Sequence, residues 1–356
     1  MSTVFCLCVD DFGVKYFAKH NLNHLISSLL KNYKTSTDYS GTNYCGLTLG
    51  WHYNEGYVDV SMPEYVQKAL AKFQHVPPST PQYAPHQWTR PAYGARIQFA
   101  SCPDTSPQLD KKLTRHVQSV VGSFLNYGRT MDNTMLVALN EIAAHQASPT
   151  QFILEKCKQI LNYAATYPNV RLRFHATDMV LCVDSNAAYL VQDGAHSWIA
   201  GHYILSSHPP PAPTIPIKAP NTPFLIECKT LRHVVASAAE VETSGLVHNM
   251  QTILHLCVLL QALCHPQLPT PLKTDNSTAY AFVNKSLRQK KSKSWDMKFH
   301  WLRDKELQRL IRVFWDKGVH NDADYFTKHH PASYHQSFRD CYILKGHHMT
   351  SFFSLF

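Results

Sequence analysis

From residue 170 onward the chain passes through strand-like and helix-like stretches in an order that few folds can accept. Residues 170–174, 179–183 and 202–205 are short runs rich in β-branched and aromatic side chains, and residues 224–228 resume the pattern. Residues 237–263 then carry a long helix signal rich in Ala, Leu and Val. Leu272-Lys273-Thr274 returns to a strand, residues 279–287 read as helix, and residues 311–315 form the last strand before a helix start at 321–328. A run of strands followed by strands and helices in alternation specifies a mixed α/β layer fold.

Acids fall where such a layered sheet would gather them. Asp184 lies on an apolar strand, Glu240 and Glu242 sit early in the long helix, Asp275 ends a strand and Asp324 opens the final helix. Carboxylates converging on one pocket can hold two divalent ions about 4 Å apart and so hydrolyse a phosphodiester. The alternative is that each acid is an independent cap or solvated charge. Near the start, Phe5-Cys6-Leu7-Cys8-Val9 leads into Asp10 and Asp11 and a turn. Adjacent acids at a strand tip are either a solvated turn or a site held together by a cation.

Length and charge narrow the options. The 356 residues suffice for two or three domains, and 44% hydrophobic residues allow a sizeable core. A formal net charge of +9 and a pI near 9.0 favour a polyanionic partner, nucleic acid first and an anionic membrane surface second. No apolar run is long enough to span a bilayer, so no spanning helix is expected, and nucleic acid, with no membrane, is the expected partner. The ten Cys are scattered without a Cys-x-x-Cys pair, which argues against a zinc ribbon. Without a secretory leader they read as reduced thiols of an intracellular protein.

Between these regions, residues 21–33 read as a helix and residues 44–60 as a hairpin turning at Asn54-Glu55-Gly56. Ser61-Met62-Pro63-Glu64 has capping-box spacing ahead of a helix with Val66, Ala69, Leu70 and Phe73 on one face. Seven Pro between His75 and Pro107 mark a linker, and seven more between His208 and Pro223 an exposed loop. Residues 109–167 are helical in pattern. Lys285, Arg288, Lys290, Lys291 and Lys293 crowd the stretch after Asp275, suited to phosphate contacts or to a solvated helix end. His329 and His330 are adjacent, and neighbours on a helix diverge too far to form a metal pair.

Taken together the motifs resemble the C-terminal part of a copia-type retrotransposon polyprotein, from late reverse transcriptase through ribonuclease H, over nearly the whole chain. Residues 5–16 resemble the polymerase metal-site motif, Tyr44-Cys45-Gly46-Leu47-Thr48-Leu49 the stretch that grips the primer, and the helix after Ser61 the start of the thumb. Val120-Val121-Gly122-Ser123-Phe124-Leu125-Asn126-Tyr127 is similar to the connecting helix. Ser237-Ala238-Ala239-Glu240-Val241-Glu242, Thr274-Asp275-Asn276-Ser277-Thr278-Ala279 and Ala323-Asp324-Tyr325-Phe326-Thr327-Lys328 resemble ribonuclease H segments.

The resemblance implies a partial reverse transcriptase palm and thumb start over residues 1–75, a Pro-rich linker over 76–110 and a helical connection over 111–168. It implies a ribonuclease H-like mixed sheet with flanking helices over 169–335 and a tail over 336–356, an α/β (α+β) chain. Asp10 and Asp11 would be two of three polymerase carboxylates, the third and most of the palm lying upstream of Met1, so no DNA synthesis is expected from this chain alone. Glu242, Asp275 and Asp324 match the second, third and fourth nuclease acids. Glu242 is preferred to Glu240 because the small residues Ser244 and Gly245 follow it.

The first nuclease acid sits in a Ser-Asp-Ala pattern in the family, whereas this chain has Ser185-Asn186-Ala187, which removes one charge. Asp184, on the same strand face, would be a weak substitute about 7 Å away. The expected activity is a ribonuclease H-type endonuclease using Mg2+ or Mn2+ on RNA–DNA hybrid or duplex, impaired by Asn186; RNA-directed DNA polymerase enters by family resemblance alone. The competing expectation is a degenerate copy that only binds nucleic acid or protein. Upstream Pol fragments would be partners, and the family's replication cycle would place the protein in the cytoplasm or nucleus.

Overall fold

In the computed structural model, strands β1 (Val4–Cys8) and β2 (Asp11–Lys15) pair antiparallel as an exposed hairpin, followed by helix α1 (Lys19–Leu30). Residues 3–89, 104–192, 196–207, 221–284 and 293–344 are described, with backbone alone for 293–296 and 299. No helix among the described residues is long and apolar enough to cross a membrane.

A second sheet has the order β3 (Asn43–Tyr44), β4 (Leu47–His52), β5 (Tyr57–Ser61), β6 (Arg171–His175), all antiparallel. The strand-like run expected from residue 170 therefore splits between two sheets, because β6 completes the sheet of β3–β5. Arg173 locks it there, donating to both carboxylate oxygens of the buried Asp59 on β5 at 2.7 and 2.9 Å.

Helix α2 is Tyr65–Lys72. The capping box expected at Ser61 does not form: Ser61 remains paired in β5, and Glu64 takes the N-cap position with no side-chain cap. Helices α3 (Lys111–Thr130), α4 (Leu136–His145) and α5 (Gln151–Thr166) follow, and Asp110 and Thr150 cap α3 and α5. Their apolar stripes, including Val117, Val121, Phe124 and Ile160, share a core with Val66 and Leu70 of α2 and Leu172 of β6. The Pro-rich segment between α2 and α3 crosses α5, where Gln82 N–H donates to Thr166 Oγ1 at 2.8 Å. It inserts His86 against His329 (ring centroids 4.2 Å) and His335 (4.8 Å).

The third sheet holds the acids. Strands β7 (Val180–Gln192), β8 (His196–Ser206) and β9 (Leu225–Leu231) are antiparallel, and after α6 (Ala238–Ala262) the chain adds β10 (Thr270–Thr274) and β11 (Ile311–Trp315) parallel to β7. The order β11-β10-β7-β8-β9, with α7 (Ser277–Val283) and α8 (Lys293–Leu307) between the two parallel strands, is a ribonuclease H-like mixed sheet.

Alternation along β7 sets its two faces. Leu181 and Val183 meet Leu246, Met250 and Ile253 of α6. The other face packs Trp198 and Ala200 of β8 against Leu136 and Val137 of α4 and against Phe326 and Phe338 from the C-terminal segment. That segment comprises a 3-10 helix, Asp322–Thr327, and α9 (Ala332–Tyr342).

Candidate nuclease-like acid cluster

Four local devices bring distant side chains to the end of β7. On α6, Ser237 Oγ accepts from Glu240 N–H at 3.3 Å and Glu240 Oε2 accepts from Ala236 N–H at 2.9 Å. This reciprocal cap fixes the helix start and spends Glu240, leaving Glu242 to face the sheet. Gly245 lets the helix approach: a Cβ there would lie 3.5 to 3.6 Å from Ser185 Oγ, Ala187 Cβ and Asn186 O. Glu242 is 7% exposed and accepts from the Ala187 N–H.

Asp275 follows the last residue of β10. Asn276 Oδ1 then caps α7 by accepting from Ala279 N–H at 2.9 Å, and Trp315 Nε1 donates to Asp275 O at 2.9 Å. The Asp275 carboxylate lies against Gly318, where a Cβ would stand 2.9 Å from Oδ2.

Asp324 comes from the 3-10 helix. Its cap residue Asn321 accepts from Ala323 N–H and donates Nδ2 to Ser185 O at 2.9 Å, bolting the turn to β7. Asn186, on β7, is 2% exposed and donates Nδ2 to Asp324 Oδ1 at 2.8 Å and to Thr327 Oγ1 at 2.9 Å. Lys328 Nζ also contacts Asp324 Oδ1.

The acids feel one another. Burial pushes the Glu242 carboxyl well above its ordinary range, and the charges of Asp275 and Asp324 push it further. Burial likewise raises Asp275, with Asp324 next in effect. Asn186, Glu242, Asp275 and Asp324 thus meet although 138 positions separate the first from the last.

Asp184 has different partners. The parallel register sets Asp184 beside Lys273, whose Nζ lies 2.9 Å from Asp184 Oδ2, and Asp322 N–H donates to the same oxygen. Its charge is already balanced, which removes the reason to expect it to replace the missing acid. Asp184, His202 and Asp322 offer ligand atoms within 4.8 Å of one another and form a separate group able to hold a metal ion. Neither His202 nor Asp322 carried a motif signal.

Asp10 and Asp11 occupy the hairpin end; Asp10 lies in the turn and Asp11 opens β2, its Oδ2 accepting from Cys45 N–H at 3.0 Å. Among the described residues no third acid joins them in a group that could hold a metal. Lys285, Arg288, Lys290 and Lys291 lie outside the described residues, and Lys293 opens α8 with its side chain likewise outside them. Thr327 and Lys328 enter the sequence reading only as part of the Asp324 motif, with no role assigned, although Lys328 stands at the i+4 position from Asp324 that favours an ion pair.

No family model matches the chain, and no curated protein matches it. Among solved structures it is similar to the N-terminal ribonuclease H domain of Rv2228c from Mycobacterium tuberculosis, fused to maltose-binding protein. The identity is 9% and the TM-score 0.30, over 46% of this chain and 96% of that one. LC11-RNase H1 in complex with RNA/DNA hybrid gives 9% and 0.27 over 41% and 91%. The foamy viral protease-reverse transcriptase in complex with dsDNA gives 14% and 0.37 over 88% and 55%. The fold is defined by the strand order described above, not by these weak likenesses.

The donor set can be tested against a pair of divalent ions from its own geometry. Glu242 Oε2 is buried with no hydrogen-bond partner, which suits a cation. Asn186 instead presents N–H to Asp324, and Lys328 already neutralises that acid. As the side chains stand, the set does not fit two divalent ions.

Proposed function

We propose that this chain corresponds to the late reverse transcriptase and ribonuclease H parts of a copia-type retroelement polyprotein, and that it binds RNA–DNA hybrid with the acid-bearing end of its five-stranded sheet and cleaves it feebly or not at all. The meeting of Glu242, Asp275 and Asp324 around Asn186 carries the reading. Three matching acids in one place favour descent from a hybrid-cutting site. The amide of Asn186 at the first acid's position removes the charge that a Mg2+ or Mn2+ pair would need.

The basic run 285–293 follows the Asp275 motif directly and is suited to phosphate contacts on the same substrate. Asp10 and Asp11 stand at an exposed hairpin, and among the described residues they belong to no group of three or more side chains that could hold a metal ion.

The test uses the purified full chain and labelled hybrid, duplex DNA and single strands in an anisotropy titration at several salt concentrations. Hybrid should bind, with affinity falling steeply as salt rises. With Mg2+ or Mn2+ the RNA strand should stay intact. Absence of hybrid binding at low salt would overturn the reading, and vigorous cleavage lost in Asp275→Asn would overturn its second half.

A further inference from the structure

We propose that the Asn186 amide as a fixed donor and the Lys328 ammonium as a resident counter-charge together allow the Glu242–Asp275–Asp324 cluster to stand without a metal ion and exclude one. The inference rests on the reading of the cluster as a former two-ion site, but its outcome is independent of hybrid binding.

The orientation of the Asn186 amide is fixed by its neighbours. The Thr327 hydroxyl donates to Asp324 O at 3.0 Å, so it can only accept from Asn186. The nitrogen must then face both Thr327 Oγ1 and Asp324 Oδ1, and Asn186 offers that acid a donor where a ligand oxygen would be required. An Asp of the same shape would set two carboxylates about 2.8 Å apart, which only a proton or a bridging cation relieves.

Lys328 completes the neutralisation from the solvent side. Its side chain is 53% exposed while its ammonium touches the same Asp324 oxygen as Asn186. Its charge also acts favourably on Glu242 and Asp275, so one cation serves three acids. Glu242 Oε2 remains a buried acceptor that neither donor reaches. The cluster is therefore compensated at Asp324 and short of a partner at Glu242, as expected where fixed donors have replaced a diffusible ion on one side only.

The closing experiment compares wild type, N186D, K328M, K328R and the N186D/K328M double variant by Mn2+ calorimetry and by thermal unfolding with Mn2+ or chelator. The double variant should bind one more Mn2+ equivalent than wild type, about tenfold more tightly than N186D alone, as removal of one nearby positive charge requires. K328M should melt lower than wild type and recover part of the loss with Mn2+, while K328R should behave as wild type.

Equal Mn2+ stoichiometry in wild type and double variant would overturn the proposal. So would a K328M protein whose melting and Mn2+ response match the wild type. Should the double variant not fold, the K328M and K328R pair decides by the same two readouts. Hybrid affinity measured on these proteins tests the proposed function separately, since its loss would leave the Mn2+ results unaltered.

Discussion

Gly201 of β8 stands where a single methyl group has nowhere to go. A Cβ at this position would lie 2.3 Å from Asn249 Oδ1 and 2.6 Å from Tyr203 Cε2, both buried. Asn249 cannot yield, because its Nδ2 donates to Ser185 Oγ and Ala200 O at 2.8 and 2.9 Å. Gly201→Ala should therefore cost about 1–3 kcal/mol, the penalty of overpacking, in urea unfolding. An unchanged midpoint would show that α6 can slide off β7. Glu240 and Glu242 make the complementary case. Glu240→Ala should lower stability by about 1 kcal/mol through the lost cap and leave hybrid affinity unaltered, whereas a drop in hybrid binding would place Glu240 in the site after all.

At the scale of elements, the most informative piece is the short turn that carries Asp324. Asn321 both caps it and ties it to β7, so Asn321→Ala should cost about 1–2 kcal/mol and speed amide exchange across residues 322–327 more than across β8. Exchange that rises equally in both places would refute a local bolt. Much of this architecture was legible in the sequence. Apolar runs located β7 to β11, and small residues after Glu242 pointed to the close helix approach that Gly245 permits. What misled was partnership. β6 reads as a strand like those after it, and the ladder to β5 with the Asp59–Arg173 pair, 114 positions apart, assigns it to the other sheet. Ser61 and Ser237 both begin a Ser-x-x-Glu pattern. The first is held in a ladder with Thr48 and Arg171, and the second is free to cap. Local spacing cannot reveal that competition.

At the scale of the whole molecule, polar contacts join the helical region and the Pro-rich crossing to the C-terminal segment, and two of them carry predictions. His86 from the Pro-rich crossing meets His335 and His329, and Tyr325 lies against His330. Burial holds His86 down to about 2, His335 to about 3 and His330 to about 4. These rings are neutral when folded but take up protons below about pH 6.5 when unfolded. Stability is then fully present above pH 6.5 and lost as pH falls, by about 1.4 kcal/mol per unit for each ring. Urea unfolding should give a clearly smaller free energy at pH 5 than at pH 7.5, and His86→Gln should flatten the slope. Equal free energies at the two values would refute it. The second contact is Arg339, buried on α9, which donates to Asp132 Oδ2 at 2.6 Å and to Tyr163 Oη at 2.9 Å. Arg339→Ala removes the ion-pair partner of the buried Asp132, leaving it the Thr134 hydroxyl, and should cost about 3–5 kcal/mol in urea unfolding.

That guanidinium sits fifteen residues beyond Asp324, and the turn presenting the acid is strung between it and Asn321. A protease cut or stop codon between Lys328 and Arg339 would delete none of the cluster's carboxylates, yet it would slacken the tether that holds one of them in place. Shortened versions of this protein should be judged by whether Asp132 still meets its arginine, not by which acidic letters survive.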